Sequence, residues 1–209
     1  MTTRQAPQLS IDRDVSMYTI AGRRVPSVTE ILAIAGVVDF SGVPEEWLAK
    51  AAERGRLAHR ITAEIDQAQG EPPFVPEELK GYVDAWWKFR VETGFTASLI
   101  EHALVNQEHR YAGTLDRYGM VGATPWLIDL KTSAAIPRWV GLQLAGYELA
   151  LRPALSVTEA ARVKRAAVRL RPDGTYSLFH FADRSDFADF LAASRIAHFQ
   201  LQHGGYRIP

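Results

Sequence analysis

Two acidic residues and a lysine constrain the fold more than any other feature of the chain. Asp129 and Lys131 stand in the run Trp126-Leu127-Ile128-Asp129-Leu130-Lys131-Thr132, and Asp116 lies thirteen positions before Asp129. Read as a strand, the run sends Ile128 and Leu130 to one face of a sheet, into a core, and Asp129 and Lys131 together to the other, exposed face. The preceding segment, Tyr111 to Gly122, reads as a strand entering a glycine-containing turn, so the two make a hairpin. Antiparallel pairing then brings Asp116 within a few Å of Asp129, and carboxylates that close repel unless a cation lies between them. Oxygen ligands of this kind suit Mg²⁺ or Mn²⁺. On the same face, Lys131 is placed to orient a metal-activated water or to steady charge on an attacked phosphate.

The remaining elements follow from pattern and punctuation. Met17–Ile20 and Arg23–Val25 flank Ala21-Gly22 as a small hairpin, and Ser27-x-x-Glu30 is a capping box opening a short helix. A longer helix runs from Pro44 to about Gln69 and carries His59. Glu71-Pro72-Pro73 and Pro76 break it, and a helix from Glu77 to Thr93 closes at Gly94. Within that helix, Trp86-Trp87 reads as packing rather than as a base-stacking platform. Strands at about 98–107, 111–120 and 126–132 form a meander. A helix from about Pro137 to Arg152 follows, then strands at 165–170 and 176–181 around the turn 171–175, then a helix from Asp186 to about His203. The expectation is one α+β domain over 1–209, a mixed central β-sheet flanked by helices, with 1–16 as a flexible tail.

Taken singly, each candidate has an ordinary reading. Asp-x-Lys on a strand is often a surface ion pair, His59 often a helix residue with a satisfied hydrogen bond, and Gln143 and Tyr147 a packing row continued by Trp139 and Leu151. Together, four short motifs in order resemble the PD-(D/E)xK nuclease superfamily, and within it the RecB-like exonuclease branch. Gly113-Thr114-Leu115-Asp116 matches the branch's Gly-x-x-Asp and Asp129-Leu130-Lys131-Thr132 its Asp-x-Lys-Thr. Gln143-Leu144-Ala145-Gly146-Tyr147 matches its Gln-x-x-x-Tyr, and Arg54-Gly55-Arg56-Leu57-Ala58-His59 its helical histidine after Arg-Gly. The resemblance spans roughly residues 25 to 150, with Leu115 where the superfamily's name has Pro.

This resemblance implies a restriction-endonuclease-like core and a metal-dependent deoxyribonuclease, favouring an exonuclease on linear DNA. It implies Asp116, Asp129 and Lys131 as catalytic residues, and His59, Asp116, Asp129 and the Leu130 carbonyl as ligands of Mg²⁺ or Mn²⁺. Thr132, Gln143 and Tyr147 become supporting or DNA-contacting residues. A homo-oligomeric ring and a recombination partner protein belong to the same picture, and a catalytically silent nucleic-acid-binding module or adaptor on this fold is the alternative. Some members of the branch hold an iron–sulfur cluster on four cysteines. This chain has no Cys and holds none.

Composition sets limits. With 24 basic and 24 acidic residues the chain lacks the positive excess of a strong non-specific DNA binder, so any DNA contact uses a local patch. Arg54, Arg56, Arg60, Arg117 and Arg138 are the candidates, set against an ordinary charged helix face. Residues 1–16 lack an apolar leader core, and no run approaches the ~20 apolar residues of a membrane span, giving the expectation of a cytoplasmic protein with no membrane partner.

Overall fold

The structure, a computed structural model, describes residues 9–12, 17–39, 41–68 and 74–204. The expected break at Glu71-Pro72-Pro73 and most of the expected N-terminal tail lie outside them. Within that tail, however, Leu9–Asp12 forms a strand, β1, antiparallel to β2 (Met17–Ile20), which pairs with β3 (Arg23–Val25). Ala21 and Gly22, at φ 50° and 75°, supply the two left-handed residues that a tight two-residue hairpin needs.

Both halves of the capping box form at the start of α1 (Val28–Ile34): Ser27 Oγ accepts from the Glu30 N–H and Glu30 accepts from the Ser27 N–H. Next come α2 (Glu45–Ala68) and, after one 3₁₀ turn, α3 (Lys80–Thr93), closed by Gly94 at φ 68°. The meander is β4 (Thr96–Asn106), β5 (Tyr111–Val121) and β6 (Thr124–Lys131). The helix expected from Pro137 is α4, Val140–Leu151; Pro137 opens the lead-in turn, its carbonyl accepting from the Val140 N–H. A short helix that the pattern did not reveal, α5 (Val157–Ala160), precedes β7 (Lys164–Leu170), β8 (Tyr176–His180) and α6 (Ser185–His203).

These strands order as β4-β5-β6-β7-β8, antiparallel except for the parallel pair β6–β7. The α+β class and the mixed, helix-flanked sheet are therefore as expected. Side chains alternate cleanly along β6 and β7. Leu127 and Ala167 pack with α1, α4 and α6, while Ile128, Leu130, Ala166 and Val168 pack with α2 and α3. Burial of both faces explains the apolar centres of the two strands, Trp126-Leu127-Ile128 in β6 and Ala166-Ala167-Val168 in β7.

That double cover corrects the expectation of an exposed face. Asp129 and Lys131 do share a face, as the strand period requires, but α4 lies over it, and Asp129 is 2% exposed. Trp86 is core, stacked on Phe89 with its Nε1–H directed to Asp66, whereas Trp87 stands 46% exposed on the outside of α3.

Candidate metal centre

Strand separation opens the site. β5 and β6 pair from Val121/Thr124 to Arg117/Ile128 and go no further. Leu115 and Tyr118 belong to the α1–α4–α6 cluster, while Arg117 reaches the opposite layer at Asp66 and Thr62 of α2, so the alternation of β5 slips by one residue around Asp116. On the neighbouring strand, β4 shifts register between Ala97 and Leu99, and Glu101 adopts φ 43°, a left-handed conformation that a non-glycine residue rarely takes. Strain of this sort is held by surrounding contacts and concentrates at functional sites. Across the gap, Asp116 Oδ2 accepts the Leu130 N–H at 2.6 Å, so a carboxylate stands where a ladder carbonyl would otherwise be.

His59 enters from α2. Its Nδ1 lies 3.3 Å from Asp116 Oδ1 and 3.6 Å from Glu101 Oε1, and its Nε2 lies 3.0 Å from the Leu130 carbonyl oxygen. Gly55, one helical turn earlier, faces the end of β6, where a Cβ would sit in ordinary contact 3.9 Å from Thr132 Oγ1. Burial disfavours a charged imidazole, but Asp116 and Glu101 outweigh it and raise His59 to about 10. A doubly protonated ring, donating from Nδ1 to the carboxylates and from Nε2 to the carbonyl, matches both contacts. Burial likewise pushes the Asp116 carboxyl up, yet His59, Lys131 and the Leu130 N–H hold it below the ordinary carboxylate range.

Beside this cluster, Lys131 Nζ lies 2.7 Å from Asp129 Oδ2 and donates to Gln143 Oε1 at 3.2 Å; Gln143 Nε2 in turn donates to the Tyr147 hydroxyl at 3.3 Å. α4 thus fixes the lysine through a polar row that is buried rather than solvated. Gly113 is required by the same row, because a Cβ there would lie 2.8 Å from Tyr147 Cε1 and 3.2 Å from Val28 Cγ2. Burial, with Asp116 adding to it, raises Asp129 to about 6 against the pull of Lys131.

His59, Asp116, Asp129, Leu130, Lys131, Thr132, Gln143 and Tyr147 are all at or beside this cleft, and Glu101 and Arg117 join them. Glu101 joins His59 and Asp116 in a set whose ligand atoms lie within 4.8 Å of one another. Arg117, read as a candidate for DNA contact, is instead completely buried and braces the site. It donates to Asp66 at 2.5 Å, to Glu101 at 2.8 Å and to the Asp116 carbonyl at 2.7 Å. Arg138 is likewise engaged, with Asp183 and Asp186. Only the register of β4 against β5 reveals Glu101; the residue type alone gives no signal.

The donor set fits a hard divalent cation. It offers carboxylates, one imidazole and a backbone carbonyl, and no sulfur. Asp129 Oδ2, moreover, is buried and meets Lys131 only as an ion pair, without an aligned hydrogen bond, which leaves it lone pairs to offer.

No family model matches the chain, and no curated protein matches it in sequence. Among solved structures it is similar to an alkaline exonuclease, LHK-Exo from Laribacter hongkongensis, with 15% identity and a TM-score of 0.41 over 77% of this chain and 94% of that one. Similarity to LHK-Exo in complex with dAMP covers 86% of this chain and 89% of that one, with 13% identity and a TM-score of 0.37.

Proposed function

We propose that the chain is a PD-(D/E)xK nuclease of the RecB-like branch: a Mg²⁺- or Mn²⁺-dependent deoxyribonuclease, acting as an exonuclease on linear DNA in the cytoplasm. The whole of 1–209 is taken as one nuclease domain. The observation that carries the proposal is the convergence of His59, Asp116 and the Leu130 carbonyl, at a break between two strands, with the Asp129–Lys131 pair.

In this reading His59, Asp116, Asp129 and the Leu130 carbonyl hold the cation, with Glu101 as a further carboxylate on the His59 side. A divalent cation bound there supplies Lewis-acid charge to the attacked phosphate and lowers the pKa of the attacking water. Lys131 Nζ, steered by Asp129 and Gln143, donates a hydrogen bond to that water or to a phosphate oxygen and offsets the negative charge that builds up in the transition state. Gln143 and Tyr147 keep the ammonium aimed, and Thr132 positions the end of β6 under α2. The preference for an exonuclease comes from the branch that the four motifs resemble.

The test uses end-labelled linear duplex, linear single-stranded and closed circular DNA, each with Mg²⁺, Mn²⁺ or EDTA, beside Lys131→Ala. Metal-dependent loss of the linear substrates alone, absent in the variant, is the expected result. Cleavage of the circle makes it an endonuclease, and a protein that binds Mn²⁺ and DNA but cleaves nothing is the silent module.

A further inference from the structure

The balanced charge of the chain confines DNA contact to a local patch. Of the arginines first considered for it, Arg117 is buried, Arg138 is paired with Asp183 and Asp186, and Arg54 lies over the Tyr82 ring at 6.0 Å. An arginine outside the four motifs stands directly beside Lys131. β6 and β7 are parallel and in register from Trp126/Lys164 to Lys131/Arg169, so Arg169 is the strand neighbour of Lys131, about 4.8 Å away across the sheet. Two positions earlier, the pair Asp129/Ala167 fixes the face. Ala167 packs with α1, α4 and α6, and the period of two sends Arg169 to that same side, together with Asp129 and Lys131.

Its guanidinium is tethered at one nitrogen and free at two. The Nε–H donates to the Ser133 carbonyl at 3.0 Å, just past the end of β6, and neither Nη has a hydrogen-bond partner among the described residues. No described carboxylate lies within ion-pair distance of it. Asp129 is taken by Lys131, and Asp173, in the turn after β7, accepts from the Thr175 N–H and hydroxyl. On the other side the sheet neighbour of Arg169 is Ser177 of β8, whose hydroxyl accepts from Arg171. Arg169 is half-buried, so its stem is held while its fork reaches solvent. The result is a fixed, unpaired cation one strand spacing from the Asp129–Lys131 pair.

We propose that Arg169 binds the backbone phosphate next to the one under attack, its two Nη groups donating to the phosphate oxygens while the Nε–H keeps the fork aimed; this rests on the nuclease reading above. Shape and charge decide the ligand, because a planar fork with two free nitrogens matches two oxygens of a phosphodiester. Position decides which phosphate: the attacked one is held by the cation and Lys131, which leaves a guanidinium on the next strand to its neighbour. Such a contact sets the register of the DNA and reads no sequence. It is made equally before and during reaction, so its loss raises KM and leaves kcat in place.

The test measures affinity for a linear duplex in EDTA from about 50 to 200 mM salt, and cleavage of the same duplex with Mg²⁺. Arg169→Gln is expected to weaken binding about tenfold at 0.1 M salt, to reduce the slope of log affinity against log salt by about 1, and to raise KM at unchanged kcat. Arg169→Lys keeps the charge and loses the tether, and should keep the slope. Arg162 supplies the control: it too donates to a backbone carbonyl, that of Ala123 at 2.9 Å, but at the other end of the sheet, and Arg162→Gln should change nothing. The melting temperature and its rise with Mn²⁺ should be the same in all three. Affinity and slope unmoved in Arg169→Gln overturn the proposal, as does an Arg169→Lys protein as impaired as Arg169→Gln, which reduces Arg169 to a tether for Ser133. A fall in kcat at unchanged KM overturns it too, by moving the guanidinium to the attacked phosphate. Wild-type protein that neither binds nor cleaves DNA removes the nuclease reading and this proposal together, whereas wild-type cleavage with an unaffected Arg169→Gln removes this one alone.

Discussion

The two ends of the sheet carry buried ion networks of opposite balance. At the β6 C-terminal end, Asp66, Glu101, Asp116 and Asp129 face three permanent cations, Arg90, Arg117 and Lys131, and His59 makes up the deficit only by holding a proton. At the other end, Arg138, Arg152 and Arg165 face Glu148, Asp183 and Asp186, with Lys164 and Arg184 standing beyond them unpaired. Ion pairs are present in both, and a buried ion pair by itself says little about stability or function. What distinguishes the ends is the charge left over after pairing: one lacks a cation, the other an anion.

The largest effect expected from this difference is on cleavage. Removing a carboxylate from the cation-deficient end, in Asp116→Ala, should erase the rise in melting temperature produced by Mn²⁺ and lower DNA cleavage by on the order of 10³-fold. Removing one from the other end, in Asp183→Ala, should leave both intact. Equal loss in the two variants would mean that the networks act only as scaffolding.

Stability should separate a buried brace from an exposed one. Arg117→Met removes the cation that Asp66 and Glu101 share, leaving Asp66 to Arg90 and Glu101 to His59, and breaking a buried ion pair from one side costs about 3–5 kcal/mol. Arg138 is largely exposed and its buried partner Asp186 keeps Arg165, so Arg138→Met should cost less than Arg117→Met. Urea unfolding reads both, and a loss below 1 kcal/mol for Arg117→Met would remove its bracing role.

Most of this frame could be read from the sequence because it rests on local rules. The period of two in β6, the capping box at Ser27, the Gly94 cap and the motif spacings are each set within a few residues. Features that depend on register could not be read. Glu101 reaches His59 only because β4 shifts by one residue near Ser98 and turns left-handed at Glu101; Arg117 is buried only because β5 slips at Asp116. β1 was hidden for a related reason, since a four-residue edge strand in a polar segment is specified by its partner β2 and not by its own pattern.

The cation deficit also gives a pH dependence. In the metal-free protein His59 is raised to about 10 from an ordinary 6.5, so its charge contributes stability that is fully present below about 6.5 and is lost as pH rises through about 10. A cation taking its place must displace that proton, so Mg²⁺ affinity should rise by roughly tenfold per pH unit between about 7 and 9. Calorimetry in buffers of different ionisation enthalpy counts the proton released. Affinity flat across that range, with no proton release, would show that His59 is neutral before the cation arrives.

The smallest effect is the most local. Gly113 is in the site for space, not for backbone freedom, since its added Cβ would meet the Tyr147 ring at 2.8 Å and Val28 at 3.2 Å. Gly113→Ala should therefore overpack this spot at a cost of about 1–3 kcal/mol. Because Tyr147 holds Gln143, and Gln143 holds Lys131, the displaced ring should loosen the ammonium and slow cleavage by less than about tenfold while Mg²⁺ affinity stays unchanged. Trimming the ring in Gly113→Ala/Tyr147→Leu should recover stability without recovering rate, because the space returns and the hydroxyl that anchors Gln143 does not. Recovery of both would reduce the Gln143–Tyr147 row to packing and leave Lys131 steered by Asp129 alone.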